Sequence, residues 1–204
     1  DIDGKDDYVV SETGRLTHLK GYTDKDVLYT YSGNEKLPKG ENSIEMSEKG
    51  LLGNMVDIQG QLGGKKSFGS TSNLTDAANL FQFVAENTKV EWSLSVFESD
   101  GKNTSIIVTK QQANNVSNGD SEKNILKVKG EKKVAVHSHP DPKGTKGGYG
   151  SDLKNANPKS KNFVYFQANK TFYEYNNTES NVKATPVVAK TGVYDFIKSL
   201  IYNK

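Results

Sequence analysis

The alternation of apolar and polar residues predicts strands and helices along most of the chain after residue 73. Between residues 90 and 96 every second residue is apolar, which predicts a strand with one buried face. β-Branched, aromatic and other apolar runs predict further strands at 104–109, 125–128, 133–139, 163–167, 171–175 and 182–188. The segments 163–167 and 171–175 are close enough in sequence to form a hairpin.

Helical periodicity appears before and after these strands. Asn73 can cap a first helix, with Asp76 at its third position, and an apolar stripe of Ala77, Leu80, Phe81 and Val84. A closing helix begins near Val193, and its stripe continues through Ile197, Leu200 and Ile201. A short helix is also expected to start near Ser151. A helix, several strands and a closing helix indicate a layered α+β or α/β domain.

The first 72 residues have a weaker pattern. Short β-segments separated by turn signals are predicted at 8–10, 15–20 and 27–31. Residues 34–72 are rich in Gly, Lys, Ser and Asn, and we expect a polar linker that packs intermittently. The predicted organisation is a β-rich segment at 1–33, a Gly-rich linker at 34–72 and a domain at 73–204.

Composition and charge narrow the function classes. Hydrophobic residues make up 33% of the chain, and 19 residues are Gly, which suits one modest core with long polar loops. The net charge is +2, from 27 basic and 25 acidic residues that are mixed along the sequence. A nucleic-acid binder or a metal-dependent nuclease would show a concentrated basic stripe, so no nucleic-acid partner is expected. The basic run at 127–133 is interpreted as a solvated strand-turn-strand, with a phosphate-binding patch as the alternative.

Absent sequence features exclude several chemistries. The chain has no Cys, which excludes disulfides, thiolate metal sites, cysteine nucleophiles and the Cys-X-X-Cys site of zinc nucleobase deaminases. No apolar run approaches the ~20 residues that span a bilayer. The chain opens on an acidic stretch at 1–7 and not on a signal peptide, and we expect it to be the end of a longer polypeptide.

Two histidines in a predicted strand are the first candidates for chemistry. His137 and His139 are two residues apart, so in extended backbone they project from the same face. Pro140 then ends the strand pairing and releases the chain into a loop. Two adjacent imidazoles can bind one metal ion, although a His-X-His pair also occurs on surface strands.

A carboxylate beyond the next loop could complete a metal site. The loop 141–150 contains four glycines and leads to Ser151 and Asp152. Two His and one carboxylate, with water in the fourth position, form an open catalytic zinc site. Alternatively, Ser151 and Asp152 only cap the short helix that is predicted there.

These residues together resemble a known family. The sequence His-Ser-His-Pro at 137–140, followed by a loop and Ser-Asp at 151–152, resembles the motif of the JAB/JAMM (MPN-like) zinc metalloproteases. That motif includes a Glu on an earlier strand, and the local sequence Glu-Trp-Ser-Leu at 91–94 resembles the family's Glu-X-X-Gly-Leu pattern. More closely, residues 80–175 look like the JAB-like toxin domains of bacterial polymorphic toxin systems.

The resemblance implies a fold and a set of roles. The fold would be JAB/MPN-like, related to cytidine deaminases, with a mixed β-sheet flanked by helices. Zn²⁺ would be held by His137, His139 and Asp152, and Glu91 would act as general base. A hydroxyl from Ser151 would stabilise the oxyanion of the tetrahedral intermediate.

Two of these roles have competing residues. The family usually places its serine three residues before the metal-binding Asp, where this chain has Tyr149, so the oxyanion role is open between Ser151 and Tyr149. Glu98 is the competing base, but it adjoins the predicted turn at 99–101. On the residues alone, Glu91 is preferred because it lies within the regular strand pattern.

The resemblance also implies a biological context. The strings at 14–17 and 29–34 resemble the tyrosine-rich repeats of Rhs/YD shell proteins, although an ordinary β-hairpin accounts for them equally well. JAB-like toxin domains often end Rhs-type proteins, so the resemblance implies a secreted or delivered bacterial effector. Such an effector would be a metalloprotease that acts on a protein or peptide and is neutralised by a cognate immunity protein. The alternative is a catalytically inactive binding module on the same fold.

Overall fold

The computed structural model of the protein describes residues 6–19, 25–140, 156–175, 186–187 and 192–202. In this part of the chain, strands form two sheets, and helices pack against them. The strands are β1 (Asp7–Val10), β2 (Leu16–Leu19), β3 (Val27–Tyr31), β4 (Lys39–Glu45), β5 (Ser67–Thr71), β6 (Trp92–Ser99), β7 (Lys102–Thr109), β8 (Glu131–His139), β9 (Lys161–Phe166), β10 (Thr171–Tyr175) and β11 (Pro186–Val187). The helices are α1 (Leu51–Gln61), α2 (Leu74–Asn87), α3 (Asp120–Ile125) and α4 (Gly192–Tyr202).

The larger sheet has seven strands in the order β11-β10-β9-β8-β6-β7-β5. β8 and β9 run parallel, and the other neighbours are antiparallel, so the sheet is mixed. The central strands β6 and β8 are buried along most of their length. The predicted α+β class, with a mixed sheet flanked by helices, is confirmed.

The main hydrophobic core lies on one face of this sheet. Trp92, Leu94 and Val96 of β6 project into it and are fully buried, as the alternation at 90–96 predicts. Helices α2 and α4 pack against the same face and against each other. The opposite face of β6 and β8 is therefore left for polar side chains.

Helix α2 begins as the sequence predicts. The side chain of Asn73 accepts hydrogen bonds from the backbone N–H groups of Thr75 and Asp76, which have no partner within the helix. The carboxylate of Asp76 in turn accepts from the backbone of Ser47 and Glu48. The cap therefore also fixes the chain that precedes α1.

The smaller sheet, in the order β2-β1-β3-β4, packs on the same core as the larger one. Gln59 of α1 bonds both the N–H and the C=O of Leu16 in β2. Gly14, in the turn between β1 and β2, has φ of 75°, and a Cβ there would lie 2.6 Å from Val90 Cγ2. Because the turn approaches the main core this closely, only Gly fits.

The secondary structure of residues 34–72 differs from the expected linker. The segment forms β4, α1 and β5, and β5 pairs with β7 as an edge strand of the larger sheet. Leu51, Leu52 and Met55 of α1 are buried in the main core. The glycines within and around α1 weaken the helical pattern in the sequence, so the helix was not predicted. Burial against the main core stabilises it. The division into domains at residues 33 and 72 stays a prediction.

A strand predicted at 125–128 is wrong. Residues 120–125 form helix α3, and a turn follows. Leu126 and Val128 pack against a second apolar cluster that includes Phe97, whereas Ile125 is 62% exposed. Apolar residues at positions i and i+2, such as Leu126 and Val128, fit a strand, but they also fit a turn that packs its apolar side chains inward. A pattern of this length does not distinguish the two.

The other predicted elements are found close to their expected positions, among them the β9–β10 hairpin. The short helix expected near Ser151 and most of the strand expected at 182–188 lie outside the described residues. Among the described helices, none has the length and apolar character needed to cross a bilayer.

Candidate functional site

Strand β8 brings both histidines to the same face of the larger sheet. His137 Nε2 and His139 Nε2 are 3.1 Å apart, as the i, i+2 spacing predicts. Both side chains are buried, with exposed fractions of 8% and 3%. Two ring nitrogens at this distance can share a proton in a hydrogen bond or bind one cation between them.

Ser138, between the histidines, joins the end of β8 to the start of β6. Its Oγ accepts a hydrogen bond of 3.0 Å from the backbone N–H of Trp92, and the residue is fully buried. The next ladder pair, Ser93 with His137, continues the register between the two strands. This junction fixes where Glu91, the residue before Trp92, must lie.

Glu91 is held at the site by its own backbone. Its N–H donates to Gln112 O at 2.9 Å, and its C=O accepts from Thr109 Oγ1 at 3.0 Å. Its Oε1 lies 3.5 Å from His139 Nε2, and the residue is 7% exposed. The structure therefore brings together three of the five site residues that the sequence analysis named.

The two imidazoles fit a zinc ion. Zn–N bonds of about 2.0–2.1 Å in tetrahedral geometry place two nitrogen ligands ~3.3 Å apart. The 3.1 Å separation of the two Nε2 atoms is close to that value. Neutral imidazole nitrogens are also ligands that zinc prefers.

The third expected ligand lies outside the described residues, as do the two candidate oxyanion donors. These are Asp152, Ser151 and Tyr149. Within the described part of the chain, no group of three or more His, Cys, Asp or Glu side chains is arranged to hold a metal ion. The described residues alone thus provide two neighbouring imidazoles and an adjacent carboxylate.

A cavity of about 630 Å³ opens beside Glu91 and His137. One wall is the segment 110–118, and the floor is formed by β8 and its neighbours. Its polar lining side chains come mainly from Ser93, Lys110, Gln112, Asn114, Asn115, Ser117, Asn118, Asn162 and Tyr175. Amides and hydroxyls of this kind can hydrogen-bond the backbone of a peptide substrate.

The wall is attached to the sheet by hydrogen bonds. Ser93 Oγ donates to Ser117 O, and Ser95 Oγ donates to Asn118 O. These serines occupy the polar face of β6, opposite the core. The polar half of the alternation in β6 therefore holds a loop in place and does not face open solvent.

A buried ion pair fixes the wall from behind. The Glu122 carboxylate, which is fully buried, pairs with Lys66 and accepts from Ser117 at 2.6 Å and from Ser121 at 2.9 Å. Burial opposes ionisation of this carboxyl, but the hydrogen bonds from Lys66, Ser117 and Ser121 outweigh it and hold its pKa below the usual value.

Glu98, the competing general base, lies away from the histidines. It faces Glu131 across the ladder, five residues along β6 from the Ser93–His137 pair, or about 16 Å at the rise of a strand. It is about 40% exposed and pairs with Lys133 at 3.5 Å. The described residues place Glu91, and not Glu98, beside the histidines.

The sequence analysis did not identify the residues that pack around the imidazoles. Tyr175 lies with its hydroxyl 3.3 Å from His137 Nδ1, and Phe166 presents its ring edge-to-face with His139 at 5.2 Å. These contacts connect strands β8, β9 and β10, whose order cannot be read from local periodicity. The only available sequence signal was the aromatic character of the 171–175 strand.

Comparison with known protein families gives a match for the central part of the chain. The sequence profile of a family described as JAB-like toxin 1 matches residues 69–165, which include Glu91, both histidines and Asp152. No curated protein and no solved structure matches the chain. The matched residues form most of the mixed sheet and contain Glu91, His137 and His139, which supports a JAB-like toxin domain in this part of the chain.

Proposed function

We propose that this protein is a zinc-dependent peptidase or isopeptidase of the JAMM type that acts as a toxin. The observation that carries the proposal is the arrangement of three buried side chains. Two imidazole nitrogens lie 3.1 Å apart, and a carboxylate oxygen lies 3.5 Å from one of them. A surface strand has no need to bury two histidines and a glutamate together.

The chain's residues divide into ligands and catalytic groups. His137 and His139 would hold the ion through Nε2, with Asp152 as the third ligand. When bound, zinc supplies Lewis acidity and lowers the pKa of a coordinated water to about 7. Glu91 is not a ligand in this proposal.

Glu91 performs the proton transfers. Its carboxylate accepts a proton from the attacking water and later delivers that proton to the leaving amine. The hydroxyl of Ser151 or Tyr149 donates to the oxyanion that develops on the scissile carbonyl. The hydrogen bonds that fix the Glu91 backbone hold the carboxylate in position before substrate arrives.

The site opens into a cavity suited to a peptide. The amide and hydroxyl groups of segment 110–118 line one side of it and can hydrogen-bond an extended substrate backbone. We infer a protein or peptide substrate that is cut at an amide bond.

The biological setting is proposed from the family. The match to a JAB-like toxin family supports an effector that bacteria secrete or deliver into target cells. Its place at the end of an Rhs-type protein is proposed from the resemblance of the strings at 14–17 and 29–34 to Rhs/YD repeats. A cognate immunity protein would then protect the producing cell. The competing function is a metal-free binding module on the same fold.

Metal content tests the proposal. Elemental analysis of the purified protein should find about one zinc per chain, and His139→Ala should abolish it because half of the nitrogen pair is removed. His18→Ala is the matched control, since His18 lies in β2 and pairs with Asp6. It should keep its zinc.

Toxicity on expression in a susceptible bacterium completes the test. Wild type and His18→Ala should arrest growth, whereas His139→Ala should not. A wild-type protein that binds no zinc and hydrolyses no peptide would instead favour the binding module. Equal zinc content per chain in wild type and His139→Ala would contradict the assignment of His139 as a ligand.

A further inference from the structure

Tyr175, the last residue of β10, contacts the imidazole that faces the cavity. Its hydroxyl lies 3.3 Å from His137 Nδ1. Its ring meets the imidazole edge-to-face, with centroids 5.7 Å apart at an angle of 80°. The tyrosine hydroxyl thus lies at Nδ1, while Nε2 of the same ring lies near His139.

Sheet register explains why Tyr175 reaches this histidine. Tyr175 pairs with Asn162 of β9, and Asn162 pairs with Ala135 of β8. Paired residues in neighbouring strands project from the same face, and Ala135 and His137 share a face because they are two residues apart. Tyr175 therefore extends over β9 toward His137 from two strands away.

The chemistry of a metal-binding histidine favours a hydrogen-bond acceptor at this position. A neutral imidazole that binds a metal through Nε2 carries its proton on Nδ1. Metal-binding histidines almost always donate this N–H to an acceptor, which fixes the tautomer and the ring orientation. A tyrosine hydroxyl can accept such a bond.

We propose that Tyr175 is a positioning residue that accepts the Nδ1–H of His137 and orients Nε2 toward His139. The inference rests on the metal site proposed above. A rotation of the imidazole by half a turn would put a carbon against the hydroxyl, so the hydrogen bond selects one ring orientation. His139 is held differently, because its ring packs against the apolar ring of Phe166.

Tyr175→Phe removes the acceptor and keeps the ring. Loss of an outer hydrogen bond to a metal ligand typically weakens metal binding ~10–100-fold. For this neutral hydroxyl we expect about a 10-fold rise in the zinc dissociation constant, measured by competition with a chelator. The melting temperature of the zinc-free protein should be unchanged, since the ring packing is retained.

Tyr173→Phe is the matched control. Tyr173 lies on the same face of β10, and its hydroxyl accepts from Asn169 Nδ2 at 3.3 Å. Its ring packs edge-to-face on Phe166. Loss of this hydroxyl should leave zinc affinity at the wild-type value. An equal loss in both variants would mean that the sheet, and not the hydrogen bond, supports the metal.

A spectroscopic measurement on the wild-type protein tests the bond directly. NMR of the zinc-loaded protein should show a slowly exchanging imidazole proton on His137 Nδ1. In Tyr175→Phe this proton should exchange faster with water, because its acceptor is gone. A His137 that is protonated on Nε2 in the zinc-loaded protein would overturn the proposal.

The outcomes separate this inference from the proposed function. If the wild-type protein binds no zinc, the metal site itself fails. If the wild type binds zinc and Tyr175→Phe binds it equally well, only the role of Tyr175 fails. A selective loss in Tyr175→Phe, with faster exchange of the Nδ1 proton, supports both.

Discussion

At the scale of single residues, the backbone and the side chain of Glu91 make different contacts. Glu91 is fixed through its backbone N–H and C=O, which bond Gln112 O and Thr109 Oγ1. Its side chain lies beside the histidines, with Oε1 3.5 Å from His139 Nε2. This arrangement allows the carboxylate to be changed while the local backbone stays in place.

Glu91→Gln should slow turnover strongly and leave the fold intact. The amide has the shape of the carboxylate but cannot accept the proton, and a general base contributes ~10²–10⁴ in rate. We expect wild-type zinc content and melting temperature, with hydrolysis and toxicity reduced by about that factor. Elemental analysis, thermal melts and growth assays measure the three quantities.

Glu98→Gln is the control for this prediction. Glu98 is exposed at the far end of β6 and pairs with Lys133. An exposed pair of this kind contributes at most ~1 kcal/mol, so the variant should remain stable and toxic. If Glu98→Gln is inactive and Glu91→Gln is active, the general base has been assigned to the wrong residue.

At the scale of elements, helix α3 and the cavity wall depend on a buried charge pair. Glu122 of α3 is fully buried, and its carboxylate joins Lys66, which precedes β5, to Ser117 in the wall. The pair therefore connects an edge strand of the sheet to the cavity. Disruption of the pair should lower the free energy of unfolding and leave the packing of the distant main core unchanged.

Lys66→Met should destabilise the protein strongly. Removal of one partner from a buried pair costs about 3–5 kcal/mol, and the partial exposure of Lys66 places the expected loss near 3 kcal/mol. The double variant Lys66→Met/Glu122→Met should recover most of it, because no charge is left buried. Chemical denaturation measures all three free energies of unfolding.

An exposed ion pair provides the control. Lys89 and Glu12 pair at 2.5 Å with side chains 75% and 68% exposed. Lys89→Met should cost less than about 1 kcal/mol because water screens the pair. If Lys66→Met/Glu122→Met is as unstable as Lys66→Met, the loss of stability comes from packing and not from the unpaired Glu122 carboxylate.

The same pair predicts a dependence of stability on pH. The pKa of Glu122 is held below its usual value in the folded state, so its ionisation stabilises the fold above the unfolded pKa of about 4.3. This contribution is lost as pH falls from there through the folded pKa. The double variant should therefore lose less stability than wild type on acidification below pH ~4.3.

At the scale of the whole molecule, both sheets share one core. Leu28 of β3 and Leu94 of β6 are both fully buried members of the main hydrophobic cluster. Gln59 and the Gly14 turn add direct contacts between the smaller sheet and the rest of the chain. We therefore expect the β-rich segment at 1–33 to unfold together with the domain that follows it.

Leu28→Ala and Leu94→Ala should shift the same unfolding transition. Each removes a buried side chain at a cost of about 2–5 kcal/mol. Fluorescence of Trp92, the single tryptophan, reports on the main core, and far-UV circular dichroism reports on both sheets. Coincident transitions by both probes in each variant would indicate one cooperative unit.

Separate transitions would support the predicted division instead. In that case Leu28→Ala would lower an early circular-dichroism transition and leave the Trp92 transition unchanged. Leu94→Ala would do the reverse. Such a result would make residues 1–33 an independent segment, despite the shared core.

The sequence by itself determined the elements whose pattern is long. The alternation at 90–96, the capped stripe after Asn73 and the histidine strand all follow from backbone periods of 2.0 and 3.6 residues. The same period of two places His137 and His139 side by side. These features are local, so they need no knowledge of what packs against them.

Only the tertiary structure decided the rest. Helix α1 forms because Leu51, Leu52 and Met55 find a core to bury against, which glycine-rich local sequence does not predict. The distance from Glu91 to His139 depends on the register of β6 with β8, and the approach of Tyr175 depends on strand order β10-β9-β8. Register and strand order arise from contacts between residues far apart in sequence, which local periodicity does not encode.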